Sequence, residues 1–420
     1  MGKSAPIVVV GAGIVGVAIA RALQRSGNSV ILLDSDEPGK ATSYGNAGFI
    51  AIDHVLPLAR PATLKRIPRM LMDRDGPLTI HTRSIPSLLP WMVQFACAAS
   101  SAVEVKKSIE SFAILMAEAS VSWGTEIQAS HLGNLFRSNG ALYVYESEQS
   151  FAAGAKEREI QKVKGAIFEV FDGNRAREMA PGLSARIVRG VYYPRGKHTI
   201  NPYRLVTALV ERFMADGGKV VRGRAMSFGR DGNRITSVKL ADSQLSAKAV
   251  VIAAGGASGS LTKLLGFKAP LAAERGYHVV LASDNVHFEL PVSSAERGFF
   301  VTPMEEGLRV AGTTELAAPH QLPSWHRADL LVKHLKEIFP GVGGTERSRW
   351  IGERPSLPDF RPAIGRAPGL ANVFCGYGHQ HYGLTLATAT GRLIASLVDG
   401  DKLPEALNAC DPGRFGYWTG

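Results

Sequence analysis

Residues 7–16 read IVVVGAGIVG, and this stretch decides the fold class of the chain. Its four leading apolar residues predict a buried parallel strand, and its glycines have the G-x-G-x-x-G spacing of a dinucleotide-binding turn. Gly11 allows the tight bend, Gly13 lets the backbone approach a pyrophosphate, and Gly16 lets the following helix pack closely on the strand. The N-terminus of that helix faces the phosphates, where its dipole favours negative charge.

A second predicted strand, from Ser29 to Leu33, ends in Asp34. A carboxylate at this place can accept hydrogen bonds from a ribose 2′-hydroxyl, which favours FAD or NAD over NADP. An ordinary βαβ unit without a ligand is the alternative, because glycines also recur by chance in loops. The presence of the strand, the helix and the acid at the required spacing favours the dinucleotide site.

The composition fits a folded α/β protein of two domains. The chain has 420 residues, of which 45% are hydrophobic and 20% charged, so it can build large cores and is not disordered. The three cysteines, Cys97, Cys375 and Cys410, are scattered and form no C-x-x-C pair. This pattern indicates a reducing compartment and no zinc site, and it favours a buried thiol at Cys375 over a covalent flavin link.

The net charge of +11 indicates either attraction of an anionic substrate or anionic lipid, or a basic surface with solvated charges. No basic block or nucleic-acid motif is present, so we expect no nucleic-acid partner. The N-terminal apolar segment belongs to the nucleotide fold and is no signal peptide, which predicts a cytoplasmic protein, with peripheral attachment to the inner face of the cell membrane as the alternative. The most lipid-like run, 85–103, contains two prolines and a glutamine and predicts a buried or interfacial helix.

The nucleotide-fold pattern returns late in the chain. Asn201 and Pro202 predict the start of a helix that ends near Ala215, and a strand over 249–252 runs into Ala254 and Gly255, where a backbone can pass close to a ligand. A strand near 372–374, a glycine-rich loop and a helix to about residue 398 predict a second anion or polar-edge site. Between these segments, helices over about 87–129 and an antiparallel sheet over about 277–313 predict another domain.

Several separated motifs together resemble the FAD-dependent D-amino-acid oxidase family, most closely its bacterial D-amino-acid dehydrogenase branch. They are the opening fingerprint with its acid, the loop 42–48 (TSYGNAG), and the segments 275–277 (RGY), 311–315 (AGTTE) and 352–355 (GERP), which occur in the family's order. The resemblance implies a glutathione-reductase-like FAD-binding domain and a second α+β substrate domain built on an antiparallel sheet. It implies an FAD domain made of residues 1–55, 195–265 and 350–420 and a substrate domain made of 56–194 and 266–349.

The resemblance also implies non-covalent FAD, whose pyrimidine edge meets the N-terminus of the last long helix. A helix N-terminus there stabilises the anion of reduced flavin. The fingerprint, the later strand and the resemblance together assign cofactor contacts to Gly11, Gly13, Gly16, Asp34, Ser35, Thr42, Ser43, Asn46, Ala47, Gly48, Ala254, Gly255, Gly378, His379, Gly383, Leu384 and Thr385.

Four residues are candidates for the substrate site. Arg354 matches the family's arginine that holds the amino-acid carboxylate, and a planar guanidinium suits that task; a structural ion pair with Glu353 is the alternative. Tyr277 matches a tyrosine that helps to hold the same carboxylate or screens the site. The alternative is that Tyr277 is a half-buried aromatic residue of the sheet. His54 and Tyr44 lie where the branch places variable active-site residues. His379 and His381 alternate without a third ligand, so we expect no metal.

The resemblance implies an FAD-dependent amino-acid dehydrogenase. Hydride passes from the substrate Cα to flavin N5, giving an imino acid or a 2-oxo acid plus ammonia, and electrons pass to a quinone or another acceptor. The implied substrate is a D-amino acid or a cyclic imino acid such as a D-proline derivative. The alternatives are a secondary-amine oxidase of the sarcosine or glycine type that uses oxygen, an NAD-dependent dehydrogenase, and a flavin subunit active only within a larger dehydrogenase complex.

Overall fold

Two large β-sheets organise the computed structural model, which describes residues 5–282, 288–318 and 321–417. The strands are β1 (Ile7–Val10), β2 (Val30–Asp34), β3 (Phe49–Ile50), β4 (Leu78–Ile80), β5 (Phe136–Arg137), β6 (Ala141–Tyr145), β7 (Glu169–Asp172), β8 (Arg189–Tyr193), β9 (Lys197–Thr199), β10 (Lys219–Arg222), β11 (Ser227–Asp231), β12 (Arg234–Lys239), β13 (Gln244–Ser246), β14 (Ala249–Ile252), β15 (Ala272–Ala282), β16 (Val292–Ser294), β17 (Phe299–Met304), β18 (Gly307–Leu316), β19 (Thr345–Ser356), β20 (Ala363–Arg366) and β21 (Val373–Tyr377). The α-helices are α1 (Ile14–Arg25), α2 (Pro61–Met72), α3 (Ile85–Ser100), α4 (Ala102–Ala129), α5 (Glu148–Ala153), α6 (Ala155–Val163), α7 (Gly173–Met179), α8 (Pro202–Ala215), α9 (Ser258–Leu264), α10 (His326–Ile338) and α11 (Gly383–Asp399).

The first sheet has the order β10-β2-β1-β14-β21-β20 and is parallel except for β20. Its centre is buried on both faces because β1 is apolar at every position. Ile7 and Val9 face a core shared with α1, α8 and α11, whereas Val8 and Val10 face a second core on the other side of the sheet. The carboxyl ends of β1, β2 and β14 therefore meet at one edge, where ligands bind in sheets of this kind.

The predicted helix after residue 201 is confirmed as α8. The side chain of Asn201 accepts a hydrogen bond from the backbone N–H of Arg204 at 3.0 Å, and Pro202 occupies the first helical position. The predicted strand at 249–252 is likewise present as β14. These elements depend on local sequence, which explains why their bounds could be predicted closely.

The second sheet has the order β19-β15-β18-β17-β16-β6-β8-β7, with β4 beside β18. Its two longest strands, β15 and β19, pair in antiparallel register along most of their length. In that register Glu274 lies opposite Arg354, Gly276 opposite Gly352, and His278 opposite Trp350. Residues at alternate positions of a strand share a face, so all six point to the same side of the sheet.

Two elements pack with a different part of the protein from the one to which the predicted domains assign them. Residues 350–356 belong to β19 of the second sheet, although the prediction assigns them to the FAD domain. Helix α4 packs through Phe112, Leu115 and Trp123 into the core shared with α1 and α11, although the prediction assigns it to the substrate domain. The predicted domains consist of runs of consecutive residues. The pairing of β19 with β15 and the packing of the apolar face of α4 join residues that are far apart in sequence, so such runs do not describe them.

No helix in the described ranges is by itself long and apolar enough to cross a membrane. The consecutive segments Thr82–Ser100 and Ala102–Ala129 reach that length and composition only together, and they are bent by 86° relative to each other. Helix α3 buries Leu88, Trp91, Phe95 and Ala99 against the rest of the protein, and its opposite face is exposed.

Candidate active site

A groove of about 900 Å³ runs along the carboxyl edge of the first sheet. It begins at the turn after β1 and passes the ends of β2 and β14 to the start of α11. Most of the predicted cofactor residues line it: Gly11, Gly13, Asp34, Ser35, Thr42, Ser43, Asn46, Ala254, Gly255, Gly378, His379, Gly383 and Leu384.

The turn after β1 has room for glycine alone at two positions. Gly11 has a backbone φ of +112°, a region that favours glycine, and a Cβ on Gly11 would overlap the backbone of Ala253. A Cβ on Gly16 would overlap the carbonyl oxygen of Gly11, so α1 packs directly on the turn. The hydroxyl of Ser43 accepts a hydrogen bond from the backbone N–H of Ile14 at 3.0 Å and holds the loop 41–48 over the N-terminus of α1.

Asp34 closes the groove at the end of β2. Its carboxylate accepts hydrogen bonds from the backbone N–H of Ala12 at 2.6 Å and of Asp36 at 3.0 Å. Each carboxylate oxygen has a further lone pair, so the fixed carboxylate can still accept from a ribose hydroxyl. A backbone cradle at a helix N-terminus, joined to a held carboxylate, fits the adenosine and diphosphate parts of a dinucleotide.

The start of α11 is fixed by two contacts from distant elements. The indole N–H of Trp123 donates to the carbonyl oxygens of Leu384 at 3.1 Å and Thr385 at 3.0 Å. The hydroxyl of Thr385 accepts a hydrogen bond from the backbone N–H of Ala51 at 3.1 Å. The N-terminus of α11, with its partial positive charge, is thereby held at the far end of the groove.

Four predicted cofactor residues lie outside the groove. Gly16 packs α1 on the turn, and Gly48, at φ +77°, lies against the carbonyl of Thr199 and lines neither cavity of the site. Ala47 and Thr385 line a second cavity of about 660 Å³. The two cavities meet at five shared residues: Thr42, Asn46, Trp350, Gly352 and Gln380.

Arg354 lies in the second cavity, close to this junction. Its Nη1 donates to Oε1 of Glu274 at 3.0 Å and to the carbonyl oxygen of Thr313 at 3.1 Å. Its partner is therefore Glu274 and not the neighbouring Glu353, whose carboxylate lies 3.6 Å from Arg275. The guanidinium covers Gly276, where a Cβ would overlap it. One nitrogen is thus held by the protein while other guanidinium N–H groups remain for a ligand.

Glu274 is the residue that the sequence analysis missed. It is buried, and its carboxylate also accepts from the hydroxyls of Thr314 at 3.0 Å and Ser356 at 2.8 Å. Burial by itself raises the pKa of Glu274, but the positive charge of Arg354, with His381 and the two hydroxyls, outweighs it and holds the pKa below its ordinary value. The carboxylate therefore stays ionised and pairs with Arg354. The opposed positions of two long strands were the signal that could have revealed it.

Tyr277 lines the second cavity, and its role at the substrate carboxylate stays a prediction, although its hydroxyl is engaged by the protein. Its hydroxyl donates to Oε2 of Glu315 at 2.7 Å and accepts from the backbone N–H of Ser324 at 2.9 Å. Burial, with the nearby Glu315, raises the pKa of Tyr277. Tyr277 follows Gly276 on β15, so its side chain packs towards α10 while the residue still contributes to the lining of the second cavity.

Tyr44 is directed away from the second cavity, which its side chain does not line. Its ring contacts Tyr203, with centroids 5.6 Å apart, and Trp350, with centroids 6.4 Å apart. Its carbonyl oxygen accepts from Arg309 at 3.1 Å. Tyr44 therefore supports Trp350, which stacks on His278 at 5.3 Å between the two cavities. Its place among the catalytic residues stays a prediction, which these contacts do not support.

His54 does line the second cavity. Its ring lies between those of Tyr143 and Tyr193, with centroids 4.9 and 4.8 Å away, and its buried Nδ1 has no hydrogen-bond partner among the described residues. Burial lowers the pKa of His54 to about 4, against a smaller opposing effect of Asp53. At neutral pH His54 therefore presents an uncharged imidazole to the cavity.

The alternating histidines of the C-terminal loop serve different cavities. His379 lines the groove, and its Nε2 is 2.8 Å from the hydroxyl of Thr390. His381 lines the second cavity near Arg354 and Glu274. Burial lowers the pKa of His379 to about 3 and that of His381 to about 4. Within the described part of the chain, no group of three His, Cys, Asp or Glu side chains is placed to hold a metal ion.

Comparison with known proteins gives consistent matches along the chain. Residues 6–397 match the family described as FAD dependent oxidoreductase (DAO). A D-amino-acid oxidase of Bradyrhizobium diazoefficiens is 32% identical over 415 residues, which cover 97% of this chain and 98% of that protein. A D-amino acid dehydrogenase of Rhizorhabdus wittichii is 30% identical over 408 residues, which cover 94% and 96%.

Solved structures share the fold. An L-proline dehydrogenase from P. horikoshii has a TM-score of 0.76 at 18% identity, over 99% of this chain and 98% of that one. A glycine oxidase from Geobacillus kaustophilus has a TM-score of 0.76 at 17% identity, over 97% and 98%. The arrangement of a nucleotide-type sheet beneath a large mixed sheet is therefore common to enzymes with different named substrates.

Proposed function

Because the chain belongs to the DAO family of FAD-dependent oxidoreductases, we propose that it oxidises the Cα–N bond of an amino acid. The substrate in this proposal is a D-amino acid or a cyclic imino acid such as a D-proline derivative. The names of the relatives support the D-amino acid, and the named neighbour that acts on proline supports the cyclic alternative. The observation that supports the proposal most strongly is the held guanidinium of Arg354 at the junction of the two cavities.

FAD supplies the hydride acceptor when it is bound in the groove. The residues proposed to hold it are those of the turn after β1, Asp34, the loop 41–48 and the start of α11. Glycine-only positions at Gly11 and Gly16 support this assignment, since they allow the tight turn and the direct packing of α1 on it, which a diphosphate site at the N-terminus of α1 requires. The N-terminus of α11 offers partial positive charge to an anionic ring edge.

Arg354 is the proposed carboxylate ligand. Glu274 holds Nη1 and leaves the remaining N–H groups of the fork for a substrate carboxylate, which fixes the substrate Cα at the junction of the cavities. The amine must lose a proton before oxidation. A hydride then leaves Cα, the nitrogen lone pair completes a C=N bond, and water hydrolyses the imine to a 2-oxo acid and ammonia. A cyclic substrate stops at the imine.

His54 and His381 are proposed to bind the substrate as neutral groups. Their low pKa values keep both imidazoles uncharged at neutral pH, so neither competes with Arg354 for the carboxylate. A neutral imidazole nitrogen can accept a hydrogen bond from the substrate amine. These roles fit a cavity in which Arg354 binds the carboxylate while Arg60 is paired with Glu157.

We further propose that the protein is cytoplasmic and attaches peripherally to the inner face of the cell membrane. The electron acceptor in this proposal is a quinone or another carrier. The support is an exposed surface of α2 and α3 on which Leu71, Met72, Leu89 and Val93 are 44–78% exposed beside the basic residues Lys65 and Arg69. Apolar and basic side chains together suit an anionic lipid surface. Sedimentation with anionic and with neutral vesicles tests this contact; equal recovery in both pellets would contradict it.

The oxidase alternative is supported by the name of the Bradyrhizobium relative and by that of the glycine oxidase that shares the fold. A panel of D- and L-amino acids and cyclic imino acids decides between the two, with an artificial electron acceptor in one series and oxygen alone in the other. The proposal expects turnover with the acceptor and little peroxide under air. Equal rates in the two series would favour the oxidase, and no turnover of a flavin-loaded protein with any amine would reject both.

A further inference from the structure

Beyond Arg354, the second cavity continues into a chamber between α2 and α3. We call this the apolar chamber; it is lined by Leu64, Ile67, Met70, Met92, Phe95 and Ala96. Trp91, Ile80, Leu316 and Phe360 extend the same apolar wall. The cavity as a whole holds about 660 Å³, which is roughly the volume of twenty water molecules and far more than a methyl side chain requires.

Helix α2 lines this chamber with an apolar stripe, of which Leu64 and Ile67 also pack against the buried cluster around Trp91 and Phe95. Leu64, Ile67 and Met70 recur at every third position and form one stripe, yet no residue of α2 is buried. A surface helix of a folded protein normally buries its apolar stripe against other side chains. Here the stripe is only partly buried and also borders the open volume of the cavity, so a ligand there would cover more of its apolar surface.

The side chains that form the chamber wall are apolar, and several charged groups of the cavity have protein partners. Arg60 is paired with Glu157 at 2.8 Å, and Arg66 is exposed. The cavity has two acidic side chains: Glu274 is paired with Arg354, and Glu296 accepts a hydrogen bond from the backbone N–H of Glu146 through Oε1, while its buried Oε2 has no partner among the described residues. The chamber floor is thus apolar, while the head of the cavity binds a carboxylate.

We infer that the apolar chamber receives the side chain of the substrate, and that the preferred substrate is an amino acid with a large apolar side chain. This inference rests on the proposed amino-acid oxidation at the same site. A branched aliphatic, thioether or aromatic group would cover the stripe of α2 while the carboxylate stays on Arg354. A small substrate such as alanine or proline would leave the chamber filled with water.

Substrate and carboxylate series with the flavin-loaded enzyme test the inference. We expect kcat/KM to rise at least about 10-fold from D-alanine to D-leucine, D-methionine or D-phenylalanine. We also expect the Kd of straight-chain carboxylates, followed by the flavin absorbance, to fall at least about 10-fold from acetate to hexanoate. D-alanine or D-glutamate as the best substrate, or a Kd independent of chain length, would overturn the inference.

Two variants locate the effect in the chamber. Ala96→Phe fills it and should lower kcat/KM for D-leucine at least about 10-fold while changing that for D-alanine less than about 3-fold. Gln94→Phe, at an exposed position of the same helix that does not line the cavity, is the matched control and should change neither. Ile67→Ala enlarges the chamber and should reduce the preference for D-leucine if Ala96→Phe fails to fold. Equal losses for both substrates in both chamber variants would contradict the inference.

The failure of this inference differs from that of the proposed function. A protein that binds FAD but whose flavin is bleached by no amino or imino acid rejects the proposed function. A protein that oxidises D-alanine as efficiently as D-leucine keeps the proposed function and rejects the chamber. The carboxylate series decides about the chamber in either case, because it requires binding without turnover.

Discussion

Glu274 and Arg354 lie directly opposite each other on the antiparallel strands β15 and β19, and Nη1 of Arg354 donates to Oε1 of Glu274 at 3.0 Å. The two residues are 80 positions apart in sequence, and the strand register alone brings them together. Two hydroxyls hold the carboxylate from the other side. The orientation of the guanidinium is therefore set by a buried network before any substrate arrives.

Glu274→Gln should separate the effect of the Glu274 charge from its effect on the orientation of the Arg354 guanidinium. The amide keeps an acceptor for Arg354 but loses the negative charge, so we expect KM for amino acids to rise about 10-fold with a smaller change in kcat. The unpaired guanidinium should also cost on the order of 3 kcal/mol of unfolding free energy. Steady-state kinetics and urea unfolding measure the two effects. A KM of the variant equal to that of the wild type would contradict the role of Glu274 in substrate binding.

The same pair has a pH signature. Because the pKa of Glu274 is held below its ordinary value of 4.5, the pair stabilises the fold above that pH, and the contribution is lost as the pH falls through the lower native value. The difference in unfolding free energy between wild type and Glu274→Gln should therefore be constant from pH 7 to 5 and shrink below about pH 4.5. A difference that grows on acidification would contradict this sign.

Tyr277→Phe tests the role of that residue. The variant removes a hydrogen bond to the fully buried Glu315, so we expect a loss of about 1–3 kcal/mol in unfolding free energy. Its KM for amino acids should stay within about 2-fold of wild type, because the hydroxyl faces α10. A large rise in KM with unchanged stability would instead favour the carboxylate role that the resemblance implied.

Gly16→Ala should abolish cofactor binding. Its Cβ would overlap the carbonyl oxygen of Gly11 and push α1 away from the turn. We expect a protein that purifies without flavin absorbance and recovers at most a small fraction of it on addition of FAD. Gly27→Ala is a control at a glycine with open space around it, although its φ of +79° makes a small loss of stability expected. A flavin content equal to that of wild type in Gly16→Ala would contradict the assignment of the groove.

His379→Gln should flatten the acid dependence of stability. Burial lowers the pKa of His379 to about 3, so between pH 6.5 and that value only the unfolded chain takes up the proton. Stability is therefore fully present above pH 6.5 and falls on acidification by at most about 1.4 kcal/mol per pH unit from this residue. Urea unfolding at pH 7, 6 and 5 should show a shallower slope in the variant. Identical slopes would mean that His379 is not buried as a neutral group.

Features with a local cause could be predicted from the sequence. The turn at Gly11 and Gly16, the cap at Asn201 and the buried strands β1 and β14 each depend on a few adjacent residues. The hydrogen bonds of Tyr277 depend on the alternation of its strand, which a three-residue motif does not include. The position of Glu274 depends on pairing across the sheet, and the support of Trp350 by Tyr44 depends on a contact between the loop 41–48 and β19; a single sequence specifies neither.

The central claim is that Arg354 binds the substrate carboxylate so that a hydride can pass from Cα to the cofactor. The direct measurement is the anaerobic reduction of the bound flavin by D-amino acids, followed by stopped-flow absorbance in the wild type and in Arg354→Ala. We expect wild-type flavin to bleach with saturable kinetics, and the variant to show a Kd at least about 100-fold higher or no saturation.

Arg349→Ala is the matched control, because Arg349 lies on the same strand but pairs at the surface with Glu346 and Asp329. It should bleach as the wild type does. Flavin content must be equal in all three proteins for the comparison. Bleaching of Arg354→Ala with wild-type affinity and rate would contradict the account.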